Sequence, residues 1–452
     1  MTASGSGLLT DLYELTMAAA YFEDGLTQNA TFELFVRSLP PSRSYLIVAG
    51  LEQALEHLSN LRFTPDEIEY LRQQPPFKRV SRQFFDYLAE LRFTGDAWAM
   101  AEGTAAFAME PLLRVTAPMI EAQIVETALL STINFQTLIA SKAARVVTAA
   151  RGRSVIEFGT RRAHGPQAGV LAARAAYIGG CDGTSNVEAG KRFGIPIFGT
   201  MAHSFVMAFD READAFDAFL KVFPETATIL LDTYDTISAV KSLRGKSVPA
   251  VRLDSGNIEH LSAEVRKCLD DVGMTTTRIF VSGDLDEQRV AELLDRGAPI
   301  DAFGVGTQLA TSYDAPALGG VYKLVSVTSA AGLRNCMKSS EDKATFPCPK
   351  QAWRQTDTAG KYAGDLVAAE SEPPPAGAWE PLLKPIMLQG KAQRLPILGE
   401  ARALSAAELK RLPADLLGLD SRANYPVKFS QRLERERHKL DEHFRQRSAD
   451  SG

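Results

Sequence analysis

From about residue 150 to 330 the chain alternates between two kinds of segment, and that alternation restricts its fold more than any other feature. One kind is short, apolar and rich in β-branched residues: Val155-Ile156-Glu157-Phe158, Tyr177-Ile178, Ile195-Pro196-Ile197-Phe198, Thr228-Ile229-Leu230-Leu231, Val251-Arg252-Leu253, Ile279-Phe280-Val281, Ala302-Phe303-Gly304-Val305 and Tyr322-Lys323-Leu324-Val325. Such runs read as buried parallel strands. The other kind carries apolar residues at helical spacing, as in Ala213, Phe216, Phe219 and Leu220, or Val290, Leu293 and Leu294. The strands recur every 20 to 32 residues or so, which is the period of βα units.

The functional signal lies in the residues just after each strand. The runs are Gly159-Thr160-Arg161-Arg162, Gly179-Gly180-Cys181-Asp182, Gly199-Thr200-Met201-Ala202-His203, Asp232-Thr233-Tyr234-Asp235, Asp254-Ser255-Gly256-Asn257, Ser282-Gly283-Asp284 and Gly304-Val305-Gly306-Thr307. In an α/β barrel the C-terminal strand ends form one face, where catalytic residues sit. An open doubly wound sheet also places ligands at its carboxyl edge, so periodicity does not separate the two. Gly, Asp and Ser are common in any βα turn. Paired arginines, a histidine and several carboxylates in that position are not. His203 is one of only six histidines, follows an apolar run directly, and is flanked by small residues.

The remaining sequence bounds the class. A length of 452 residues suffices for two domains. A net charge of -5 gives no general attraction to nucleic acid. No apolar run approaches the roughly 20 residues that cross a bilayer. Met1 to Thr10 lacks the basic and apolar regions of a secretory signal. Four scattered cysteines, Cys181, Cys268, Cys336 and Cys348, make neither a disulfide framework nor a zinc site. A reducing, cytoplasmic setting is expected, with no membrane and no nucleic-acid partner.

Residues 1–115 are expected to form the N-terminal part of a β-rich domain, with strands at Thr31–Val36 and Tyr45–Val48 and helices at Pro65–Leu71 and Val80–Leu91. Residues 116–150 read as one long connecting helix, and 151–330 as the catalytic barrel. Residues 331–400 return to the β-rich domain, and 401–452 form a C-terminal helical segment.

Strand-end arginines with glycine-rich turns point to a phosphorylated substrate, because a guanidinium matches phosphate or carboxylate oxygens two at a time. Gly304-Val305-Gly306-Thr307 lets backbone N–H groups approach an anion, helped by the following helix. Asp232, Asp235, Asp254 and Asp284 suit Mg²⁺ and ribose hydroxyls, although Asp232 and Asp235 equally suit a helix cap. There is no Walker A motif.

The chain also resembles a known family. Thr10-Asp11-Leu12-Tyr13-Glu14-Leu15-Thr16-Met17, Phe32-Glu33-Leu34-Phe35-Val36-Arg37, Glu102-Gly103-Thr104, Glu157-Phe158-Gly159-Thr160-Arg161-Arg162, Gly183-Thr184-Ser185-Asn186, Gly199-Thr200-Met201-Ala202-His203-Ser204, Arg252-Leu253-Asp254-Ser255-Gly256 and Phe303-Gly304-Val305-Gly306-Thr307 occur in the order seen in nicotinate phosphoribosyltransferases. No one motif is decisive, and their joint order is. The resemblance implies an incomplete α/β barrel with a β-rich domain formed from both ends of the chain, and a homodimer with shared active sites. It implies that nicotinate and 5-phosphoribosyl 1-diphosphate give nicotinate mononucleotide and diphosphate, with ATP hydrolysed through a phosphohistidine and with Mg²⁺.

Residue by residue, the resemblance implies that Tyr13, from the partner subunit, and Phe158 sandwich the pyridine ring. Arg161 meets nicotinate or a nearby phosphate, and Arg252 a ribose or phosphate. Asp254 serves the ribose or, with Asp232, the metal. Gly283, Asp284, Gly304, Gly306 and Thr307 cradle the 5′-phosphate. Arg37 contacts diphosphate or ATP in trans, His203 is phosphorylated, and Thr200 and Ser204 bind substrate. Asp182 is a candidate acceptor for an amide, which would suit the alternative substrate nicotinamide. A non-catalytic metabolite-binding barrel is the alternative from another class.

Overall fold

The computed structural model describes residues 7–330, 332–339, 345–420 and 423–450. The chain divides into two compact units, one of residues 1–137, 317–416 and 421–452, the other of residues 138–316 and 417–420. The N-terminal and C-terminal segments therefore fold together.

The first unit is β-rich. Its larger sheet runs Gly332–Asn335, Gly320–Ser329, Asn29–Val36, Pro111–Pro118, Asp96–Met100, Leu383–Leu388 and Lys391–Ala392, all antiparallel neighbours. A smaller sheet runs Trp379–Pro381, Lys350–Thr356, Tyr362–Ala369 and Val427–Phe429. The run Tyr322–Val325, expected as a barrel strand, instead pairs antiparallel with Asn29–Val36, Tyr322 opposite Leu34. A buried apolar run cannot by itself declare which sheet it joins.

This unit buries charge as well as apolar side chains. Glu33 is fully buried and accepts from the Lys350 backbone N–H at 2.6 Å and pairs with the Lys350 ammonium at 2.7 Å. Arg354 is 1% exposed and makes two-oxygen contact with Asp365, a hydrogen bond to Glu408 at 3.1 Å and another to the Ala105 carbonyl at 2.7 Å. The aromatic rings of Phe107, Tyr362 and Tyr425 lie against its guanidinium.

The second unit is built on a six-stranded parallel sheet: Gly183–Thr184, Ser154–Glu157, Ala302–Val305, Arg278–Val281, Ala250–Leu253 and Thr228–Leu230. Among the described residues its two outer strands do not pair with each other, so the barrel is incomplete. Val155, Ile156, Ile229, Val251, Ile279, Val281, Phe303 and Val305 are buried, as expected of a sheet covered by helices. Two expected strands are not strands. Tyr177–Ile178 ends the helix Pro166–Ile178, and Ile195–Phe198 makes one bridge, Thr184 to Ile197. Apolar residues on a buried helix and on a strand look alike over so short a stretch.

The single long helix expected over 116–150 is two: Met119–Ile124, then Glu126–Ala149 after a break at Val125. The second passes from one unit into the other. Its Lys142 and Arg145 pair with buried Glu287 at 2.5 and 2.9 Å, and Arg145 also donates to the Leu419 carbonyl, which ties down the 417–420 segment. Among the described residues no helix is long and apolar enough to cross a membrane.

Candidate active site

Arg252 organises the C-terminal end of the parallel sheet. It is the third residue of the strand Ala250–Leu253, is 8% exposed, and spends its donors on three neighbours. Its Nε donates to Ser282 Oγ at 2.8 Å, one terminal nitrogen to Thr200 Oγ1 at 2.7 Å, the other to Asp254 Oδ1 at 2.6 Å. Thus one rigid fork joins the ends of two neighbouring strands to the loop that carries His203. Ser282 also donates to Asp254. Burial pushes the Asp254 carboxyl up, but the Ser282 hydrogen bond and the Arg252 charge outweigh it and hold the group below the usual range. Asp254 is therefore an anion at neutral pH.

His203 opens the short helix His203–Met207, with its side chain 41% exposed. Thr233 Oγ1 lies 3.2 Å from Nδ1, and Asp254 Oδ2 lies 4.0 Å from Nε2. Ser204 is the next helical residue and is exposed. Asp232 Oδ2 accepts from the Asp254 backbone N–H at 3.1 Å and from the Ser255 hydroxyl, while its Oδ1 is buried with no hydrogen-bond partner. Asp235, on the same turn, caps the helix Thr236–Ser242 by accepting from the Ser238 N–H at 2.7 Å. The two carboxylates of that turn thus divide: one faces the site, the other is structural.

Two aromatic rings adjoin this network. The Phe158 ring lies 5.4 Å from that of Phe280 and 5.8 Å from the Arg252 guanidinium. Gly304 makes the space for it. A Cβ there would stand 2.9 Å from Phe158 and 2.8 Å from Phe280. Gly304 is inside the strand Ala302–Val305, and its missing side chain leaves room for the two rings. Beyond Phe158 the chain forms a 3₁₀ turn, Thr160–Arg162, with Arg161 and Arg162 exposed.

The turns expected to meet phosphate are shaped by backbone. Gly283 has φ +98°, and a Cβ on it would collide with the Asp254 carbonyl oxygen. Asp284 follows, also left-handed at φ 45°. Gly306 leads into the helix Thr307–Ala310.

One expected site residue stands elsewhere. The Asp182 carboxylate accepts from Ser154 Oγ at 2.8 Å and the Val155 N–H at 3.1 Å, so it secures the beginning of the strand Ser154–Glu157, not its functional end. It is corrected to a structural residue. Tyr13 and Arg37 belong to the β-rich unit. Tyr13 is 45% exposed and hydrogen-bonded to Glu126; burial first, then Glu126 and Glu14, push its phenol well up. Arg37 lines a cavity of about 560 Å³ with Arg43, Phe107 and Tyr425.

Sequence reading missed Thr233, Ser282 and Phe280 as parts of the site. A hydroxyl or ring in a strand-end run is too common to stand out; only the distances mark these. Among the described residues no group of three or more His, Cys, Asp or Glu is arranged to hold a metal. Asp232 with its orphaned buried oxygen and ionised Asp254 do fit Mg²⁺ held jointly with substrate oxygens, the way that ion is usually bound.

Comparison with known proteins agrees with this architecture. Residues 8–134 match the nicotinate phosphoribosyltransferase N-terminal domain, and residues 139–315 the quinolinate phosphoribosyl transferase C-terminal domain. A Mycobacterium tuberculosis nicotinate phosphoribosyltransferase is 46% identical over 437 residues, covering 94% of this chain and 92% of the relative. The Bacillus subtilis nicotinate phosphoribosyltransferase is 43% identical, covering 81% and 76%. The crystal structure of human nicotinic acid phosphoribosyltransferase aligns with TM-score 0.85 at 30% identity, covering 96% of this chain and all of that one. The chain belongs to the nicotinate phosphoribosyltransferase family.

Proposed function

We propose that this chain makes nicotinate mononucleotide. The pyridine nitrogen of nicotinate attacks C1 of 5-phosphoribosyl 1-diphosphate, the C1–oxygen bond breaks, and diphosphate leaves. The observation that carries this reading is the Arg252 fork, which gathers Thr200, Ser282 and Asp254 beside His203 and Phe158.

Phe158 offers a face for the electron-poor ring, and Arg161 a cation for its carboxylate. Asp254, kept ionised, suits the ribose hydroxyls and the positive charge that grows at C1 as diphosphate departs. The Gly283–Asp284 and Gly306–Thr307 turns present backbone to the 5′-phosphate. Asp232 and Asp254 would hold Mg²⁺, which when bound neutralises phosphate charge. In a homodimer, the partner's Tyr13 and the partner's Arg37 complete the site, one over the ring and one on the phosphates.

ATP hydrolysis is coupled to the transfer through His203. A neutral ring nitrogen attacks the γ-phosphorus, the bond to ADP breaks, and a phosphohistidine forms that water later hydrolyses. Thr233 at Nδ1 and Asp254 near Nε2 orient the ring. Asp182, the candidate acceptor for an amide, is engaged elsewhere, and the exposed Arg161 cation favours the carboxylate of nicotinate over the amide of nicotinamide.

Steady-state turnover with nicotinate and nicotinamide, each with and without ATP, tests the reading. Nicotinate is expected to give much the higher kcat/KM, and ATP to stimulate it. His203→Ala should lose acid-labile label from γ-labelled ATP while keeping a slow ATP-independent synthesis. Equal use of the two pyridines sinks the substrate reading; wild-type labelling of the mutant sinks the phosphohistidine.

A further inference from the structure

Directly beneath the Phe158–Arg161 turn lies a carboxylate that no step above uses. Glu157 ends its strand fully buried. Its Oε1 accepts the Gly159 backbone N–H, inside the turn itself. Its Oε2 accepts the Thr184 hydroxyl at 2.6 Å on the neighbouring strand. Thr184 Oγ1 already accepts from the Asn186 N–H at 2.9 Å, so its one proton is committed to Glu157. Asn186 then donates from its side chain to Thr160 Oγ1 at 3.0 Å, closing the circuit back onto the turn. From the other side, Gly159 packs so closely that a Cβ would collide with the Ala310 side chain and meet the Gly306 carbonyl oxygen at 2.7 Å. The turn is thus clamped between Glu157 below and the Gly306 turn beside it.

We propose that Glu157 is a positioning residue for pyridine binding: its two carboxylate oxygens fix the turn that carries Phe158 and Arg161, and so set affinity for nicotinate without touching it. The inference rests on the reading that this turn meets the pyridine acid. A buried carboxyl is an expensive way to tie a turn. Burial pushes Glu157 up from its ordinary value even against the Thr184 and Gly159 hydrogen bonds. Such a group must hold its partners to be tolerated.

Glu157→Gln keeps the volume and one acceptor but turns an N–H₂ toward the Thr184 proton. The expected result is a nicotinate KM raised about tenfold, with kcat within about threefold and the KM for 5-phosphoribosyl 1-diphosphate within about twofold, the signature of lost ground-state binding. Thr184→Val, which strips Oε2 of its donor and leaves the carboxylate in place, should raise the nicotinate KM in the same direction by about threefold, and stands in if the glutamine variant does not fold. Arg161→Ala is measured alongside. If it raises the nicotinate KM and neither Glu157→Gln nor Thr184→Val does, the positioning role is overturned alone. If Arg161→Ala leaves nicotinate binding unchanged, the reading of the turn falls and the inference with it. A general loosening, with both KM values rising and kcat falling together, also overturns it.

Discussion

Two arginines organise this protein and do opposite work. Arg354, in the β-rich unit, is closed on every side: Asp365 and Glu408 bond it, Glu110 stands 3.9 Å away, and three rings cover it. Arg252, in the parallel-sheet unit, is nearly as buried but binds at a rim. Its partners Thr200 and Asp254 face outward, Asp254 with 29% of its side chain exposed and His203 beside it with 41%. A closed network contributes rigidity; one that ends in half-open acceptors beside His203 has groups left to give a substrate. The same residue type is structural or functional according to what its acceptors do next.

The contrast between the two arginines breaks most visibly at Arg354. Arg354→Leu takes the cation from two buried carboxylates, Asp365 and Glu408, and removing one partner of a buried ion network costs roughly 3–5 kcal/mol. Urea unfolding should register that loss, with activity per folded molecule little changed at low temperature. Arg252→Lys should do the reverse. A lysine cannot hold Ser282, Thr200 and Asp254 at once, so kcat/KM should fall on the order of 100-fold, about 2.7 kcal/mol of transition-state binding, while stability moves by about 1 kcal/mol. Equal losses of stability in the two variants would erase the distinction.

The acids of the two networks should titrate oppositely. Burial and then the Asp365 charge raise Glu110 well above its ordinary value, against the opposing pull of Arg354. Its folded pKa exceeds its unfolded one, near about 4.3, so stability is lost as pH climbs from there through the raised value. Glu110→Gln, a copy of the protonated form, should flatten that loss and be no less stable than the parent at pH 8. Asp254 is shifted down, so its contribution is present above its unfolded value of about 3.9 and disappears as pH falls through the lower folded one. Asp254→Asn should therefore lose that contribution at every pH above about 4, and with it the acid-side slope in pH-dependent melting. The smallest effect is expected of Ser282→Ala, which removes one hydroxyl shared by Arg252 and Asp254. About 1 kcal/mol is at stake, read as about a fivefold fall in kcat/KM.

The sequence by itself determined the βα periodicity, and with it that Arg252, Asp254 and Phe158 would end up at one end of a sheet; His203 follows a run that forms one bridge only, and its contacts with Thr233 and Asp254 bring it there. Side chains that follow a parallel strand must gather there whatever the helices between them do. It determined the β-rich character of both ends of the chain, because alternating runs such as Thr31–Val36 read as strands, although the fold buries both faces of that run. Tertiary structure decided everything that depends on a partner distant in sequence. It assigned Gly320–Ser329 to the other sheet, because strand pairing is a contact nearly 300 residues long that no local pattern contains. It turned Asp182 toward the beginning of a strand and Asp232 toward the end of another, although both are aspartates in polar turns. It set two phenyl rings against Gly304, since what an absent side chain makes room for is known only when the neighbours arrive. Local chemistry fixes which residues a segment offers, but the energy of each offer is set by what packs against it, and that is a property of the folded chain.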